Sequence, residues 1–177
     1  MSTSVSDFVR QLLDRNEPYL LGALEGIDPD MLHRQPGPES NSIAWLVWHL
    51  SRVQDNHVSA MAGRDHVWIT GGWVERMGLG LDPMDRGRGH TPEQIAAFRV
   101  PSVSALMDYY EAVRDATGTF LDEMDDAALE RQVPAVSGDG TVPLAQRLEM
   151  TLTDGLQHTG QVAYLRGLFE GRGWLAV

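Results

Sequence analysis

Asn41-Ser42-Ile43-Ala44-Trp45-Leu46-Val47-Trp48-His49-Leu50 reads as the opening of a long helix. Asn41 or Ser42 supplies a short polar side chain of the kind that caps an N-terminus. Beyond it Ile43, Leu46, Val47, Leu50, Val53 and Met61 recur at three-and-four spacing, which lines one helix face. Gly63 provides a stop, so a helix is predicted over 42–62. His49 neighbours Leu46 and Val53 on the wheel and flanks the apolar face. His57 falls nearer the centre of that arc, roughly 80° from His49. Two turns separate the histidines, so one ion is not expected to take both.

Further helices flank this one. Phe8, Leu12, Leu13, Leu20 and Leu24 predict a first helix over 6–25, with Pro18 inside it to bend it or break one hydrogen bond. Asp28-Pro29 and Pro36-Gly37-Pro38 mark a loop. Residues 64–91 are rich in Gly, Asp and Arg and carry Trp68 and Trp73. They form a long connection with a short helix near 73–77, and connections of that length are often functional. Thr91-Pro92-Glu93-Gln94 has the form of a capping box with proline at the first helical position, opening a short helix that ends near Phe98. Leu106, Tyr109, Tyr110 and Val113 give the stripe of a third long helix, 102–124. After the turn-rich Ser137-Gly138-Asp139-Gly140, Pro143 opens a fourth that runs to about 170. Four long helices with one long inner connection predict an all-α four-helix bundle. No strand signal of comparable strength is present.

The 177 residues suit one domain over 1–177, large enough to bury a core without staples. There is no cysteine, which excludes disulfides, thiolate metal sites and a cysteine nucleophile. Thiol chemistry would need a thiol brought by a substrate or cofactor. A net charge of −11 argues against nucleic acid and against anionic membranes as partners. No stretch approaches the roughly 18 apolar residues that span a bilayer. Residues 1–14 lack a basic region followed by an apolar run, so a cytoplasmic protein is expected. All 14 basic residues are arginine, as a GC-rich genome would produce.

Asp154 and His158 lie four apart on the fourth helix, roughly 40° apart on the wheel, so both can reach one ion. Leu144, Leu148, Val162, Leu165 and Phe169 define the apolar arc beside them. An acid at the edge of a buried face is costly unless paired, hydrogen-bonded or metal-bound. One imidazole from the 42–62 helix would complete a set of two nitrogens and one oxygen. Three protein ligands with open positions suit catalytic zinc, and equally a facial-triad iron site. His33, His66 and His90 sit in loop-like sequence and are expected in solvent. Trp45 and Trp48 are expected to pack, and Arg52 to be a surface charge.

Two stretches carry a resemblance. The 41–50 run is similar to the second-helix motif of the DinB-like family, and His158-Thr159-Gly160-Gln161-Val162-Ala163-Tyr164-Leu165-Arg166-Gly167-Leu168 to its last-helix motif. The resemblance extends over essentially the whole chain and implies an up-down-down-up bundle. It implies a metal site of His49, Asp154 and His158. Many members have histidine where this chain has Asp154, which leaves the metal's identity open among zinc, nickel and iron.

Relatives include thiol-dependent enzymes, so the resemblance implies a transferase or isomerase using a low-molecular-weight thiol such as mycothiol. The arginine-only composition fits an actinobacterial host, where that thiol is usual. On this reading Arg52 or Arg166 meets a carboxylate of the thiol, and Trp68 or Trp73 lines the mouth where an electrophile enters. Metal-assisted hydrolysis with His57 as general base is the alternative, and a non-catalytic stress-related or binding protein the third. A homodimer is the expected assembly.

Overall fold

The computed structural model describes residues 4–173; the expected domain, 1–177, extends past them at both ends. Four long helices dominate: α1 (Val5–Leu24), α3 (Ile43–Ala62), α7 (Val103–Glu123) and α8 (Leu144–Phe169). Short helices α2 (Pro29–His33), α4 (Val67–Thr70), α5 (Trp73–Met77) and α6 (Pro92–Ala97) sit in the connections. The helix ends follow local chemistry. Ser42 Oγ accepts the Trp45 N–H at 3.2 Å. Thr91 and Gln94 form the reciprocal capping box at the start of α6. Gly63 closes α3 in the left-handed region, φ 66°, where a side chain would be strained. α1 runs unbroken through Pro18.

Cross-helix bonds fix the directions. Arg10 donates to Asp122, and Arg114 to Glu17 and Asp14, so α1 and α7 are antiparallel. Asn16 donates to Thr159, and Arg166 to the Glu25 carbonyl, so α1 and α8 are parallel. Gln54–Thr117 and Arg64–Glu123 set α3 parallel to α7. His57–Thr151 and His49–Asp154 set α3 antiparallel to α8. In chain order the helices therefore run up, down, down, up.

A 3-10 turn (Asp126–Glu130) and an antiparallel hairpin, β1 (Gln132–Pro134) with β2 (Thr141–Pro143), join α7 to α8. The sequence carried no strand signal here because three residues are too few to show alternation.

The long connection is tied to α3 by a buried ion pair, which corrects two expectations. Arg52 is fully buried, not a surface charge. Its guanidinium donates to the Pro83 and Asp85 carbonyls, to Asp55 Oδ2 at 3.1 Å and to Tyr109 Oη. Asp55 also accepts the N–H groups of Val67 and Trp68 and the Tyr109 hydroxyl. A buried charge persists only with such partners. Trp68 and Trp73 are buried too, packed on Tyr109 with ring centroids 5.0 and 5.4 Å away, and line no mouth. Indole rings gain most by burial against another aromatic.

Candidate metal centre

α3 and α8 meet along a polar seam. Arg147, Thr151, Asp154 and His158 recur at four, three and four residues, one face of α8. Opposite them stand Asn56, His57 and His49 of α3. Arg147 Nη2 donates to Asn56 Oδ1 at 3.0 Å. Thr151 donates its hydroxyl proton to the Arg147 carbonyl, so its oxygen accepts from His57 Nδ1 at 2.9 Å.

At the end of the seam His49, Asp154 and His158 each offer a ligand atom, all within 4.8 Å of one another. Asp154 Oδ1 is 3.9 Å from His49 Nε2 and 3.5 Å from His158 Nε2. The two imidazoles stand edge to face, 4.9 Å between centroids. His49 Nδ1 donates to the Arg86 carbonyl, and His158 Nδ1 to Gln161 Oε1 at 2.7 Å. Each bond makes Nδ1 the donor, so in the neutral ring Nε2, turned to the cluster, carries the free lone pair that metal-binding histidines require. Asp154 Oδ2 is buried with no hydrogen-bond partner. Such an orphan is costly, and a bound cation would satisfy it. The three residues therefore fit a divalent ion.

The electrostatics agree. Burial holds His49 below its ordinary pKa, although the Arg86 carbonyl and Asp154 oppose it. Burial also pulls on His158, but Asp154 and Gln161 outweigh it and raise that pKa. A metal-bound imidazole must be neutral, so uptake of an ion here would depend on pH.

A cavity of about 340 Å³ opens beside the cluster, lined by His49, Asp154, His57, Trp45, Arg86 and Arg88 among others. Trp45 stacks on His49, 4.5 Å between centroids and 12° between planes. Burial, then the charge of Arg147, pushes His57 down to about 4, so its imidazole is neutral at neutral pH.

Other expected positions differ. Arg166 lies two turns beyond His158, ion-paired to Glu170 at 2.7 Å and bonded to the Glu25 carbonyl; it is absent from the cavity lining. His90 is half-buried, its side chain covered rather than solvated: it accepts from Trp45 Nε1 at 3.0 Å and holds Asp85 at 2.8 Å. His33 is half-buried and bridges the Pro29 carbonyl and the Val100 N–H. His66 is half-buried beside Asn56. Gln161, Thr151 and the Arg86 carbonyl were missed. The first two continue helical spacing and were findable; Arg86 lies in a connection whose path no spacing reveals.

The DinB superfamily model matches residues 12–162, and the chain belongs to that superfamily. The crystal structure of a conserved protein from Enterococcus faecalis is similar at TM-score 0.86 and 27% identity, over 97% of this chain and 100% of that one. Among curated proteins, none matches.

Proposed function

We propose that this protein is a divalent-metal-dependent enzyme that presents a low-molecular-weight thiol, of the mycothiol type, to an electrophile in transfer or isomerisation. One observation carries the reading: the Nε2 atoms of His49 and His158 and the Asp154 carboxylate, whose Oδ2 is buried without a partner, converge beside a cavity. A divalent ion held by His49, Asp154 and His158 would supply Lewis acidity, lowering the pKa of an incoming thiol. Zinc suits two nitrogens and one oxygen with open positions, and nickel and iron are the alternatives. The chain's own part is to orient. Arg86 and Gln161 fix the histidine tautomers, Asp154 supplies negative charge, and Trp45, Val53, Val136 and Met150 keep water from the cavity wall. With no cysteine in the chain, no internal thiol competes.

Hydrolysis is the second reading, favoured by His57. Its Nδ1–H is spent on Thr151 while the ring lines the cavity, leaving a neutral acceptor of the kind a general base requires. A His57→Ala variant with undiminished hydrolysis would remove this support.

The deciding measurement is metal content of protein purified without added metal or chelator, beside a His49→Ala, Asp154→Ala, His158→Ala variant. We expect near one equivalent in the parent, little in the variant, and thiol binding only by the loaded form. No metal in either, even after soaking with zinc, nickel and iron, would put the non-catalytic binding protein first. The proposal includes a cytoplasmic homodimer: Leu21, Tyr164 and Leu168 leave apolar surface exposed, and no helix among the described residues is long and apolar enough to cross a membrane. A purely 19.6 kDa species in sedimentation would refute the dimer.

A further inference from the structure

One wall of the cavity has a sign opposite to the molecule's. The chain carries −11 overall, yet Arg86, Gly87, Arg88 and Gly89 line the cavity together. Gly87 lies in the left-handed region, φ +85°, and a Cβ there would fall 2.6 Å from the Trp45 ring. The backbone thus lies flat on Trp45, which fixes where the two neighbouring arginines leave it.

Among the described residues, Arg86, Arg88 and Arg147 form no ion pair with a carboxylate, whereas the neighbouring Arg52 is paired with Asp55. Arg86 donates to the Asn56 amide oxygen at 2.6 Å, a neutral acceptor. The same oxygen takes Arg147, which is 2% exposed and whose Nε has no partner. Arg88 is exposed and forms no ion pair. Burial, then the charges of Arg52 and Arg88, pulls the pKa of Arg86 below its ordinary value. The adjacent acids are engaged elsewhere: Asp85 with His90 and the Gly87 N–H, Asp55 with Arg52. Asp154 is the acid that lines the cavity, and a divalent ion would more than neutralise it. Clustered cations in a partly dry wall are costly until an anion meets them, and such a wall concentrates anions from solution.

Trp45, Val53, Val136 and Met150 make the remaining lining apolar. At about 340 Å³ the space suits a small ligand, since ligand pockets span roughly 300–1,000 Å³. We propose that this cavity binds a small amphipathic organic acid, its carboxylate on Arg86 and Arg88, its apolar body on Trp45 and Met150, and its reacting end at the metal triad. Only the last contact rests on the metal reading above. The thiol or electrophile this protein handles is therefore a carboxylate.

Calorimetric titration of zinc-loaded and metal-free protein with two matched pairs tests this: 3-phenylpropionate against 3-phenylpropanol, and 3-mercaptopropionate against 3-mercaptopropanol. Each acid should bind at least about tenfold more tightly than its alcohol, the size of one charge-assisted hydrogen bond. Arg88→Gln, at an exposed residue with no internal partner, should erase most of that preference, and Arg86→Gln the remainder. Equal or undetectable binding of the phenyl acid and alcohol would overturn the proposal, as would a preference that survives both variants. If the protein takes up no zinc, the metal reading fails while the phenyl pair still decides the carboxylate site. If zinc binds and no acid is preferred, the carboxylate site fails and the metal reading stands.

Discussion

Gln161 does at residue scale what no ligand can do for itself. It is exposed, yet it holds His158 in the tautomer that frees Nε2. Gln161→Leu should therefore weaken zinc binding about 10- to 100-fold with the unfolding midpoint of the metal-free protein unchanged, read by competition with a chelator. Arg52 is the opposite case. Replacing it with Met leaves Asp55 buried against two N–H groups and two hydroxyls but without its cation. The expected loss is about 3–5 kcal/mol in denaturant unfolding, and an unchanged stability would show that the pair is not what pins the connection. The triad was legible from helical spacing plus the family resemblance. Arg52 was not: its partners at Pro83, Asp85 and Tyr109 are supplied by segments far along the chain, and a wheel cannot place them.

Between elements, the informative unit is the seam of α3 and α8. Arg147, Thr151, Asp154 and His158 each have an α3 partner, so a single polar stripe sets the register of two antiparallel helices. His57 gives that seam a pH signature. Its ordinary pKa of 6.5 is lowered to about 4 by burial and by Arg147. Above about pH 6.5 the imidazole is neutral in both states and costs nothing. As pH falls below 6.5 the unfolded chain takes the proton first, so stability drops until the folded state also protonates near 4. The shift corresponds to roughly 3 kcal/mol, an order-of-magnitude figure. His57→Gln, which keeps a donor for Thr151, should flatten that window in pH-dependent denaturation; an unaltered slope would assign the loss to other groups. Helix limits were readable because Ser42, Gly63 and Thr91 act on their own neighbours. The seam was not, since a stripe predicts burial without naming the opposing helix.

Over the whole molecule, the triad draws its ligands from α3 and α8, which come together only in the folded bundle. Metal should therefore stabilise the native state by linkage, about 2.7 kcal/mol at a free concentration 100 times Kd. For a chain of this size that is a rise in Tm of roughly 5–10 °C, reversed by chelation and absent from the His49→Ala, Asp154→Ala, His158→Ala variant. An identical melting curve with zinc and with chelator would mean that no ion bridges the two helices.

The sequence alone determined what is local or periodic: four long helices, the caps at Ser42 and Thr91, the absence of an internal thiol, and a carboxylate and imidazole one turn apart on α8. Tertiary structure decided everything that depends on which surfaces meet. It buried Arg52 and the tryptophans of the connection, covered the His90 side chain, and tied Arg166 to Glu170 at the far end of α8. It also laid Arg86 and Arg88 across the cavity that the triad borders. The reason is physical. Spacing along a helix fixes the direction of a side chain relative to its own axis, whereas its partners and solvent are supplied by segments distant in sequence.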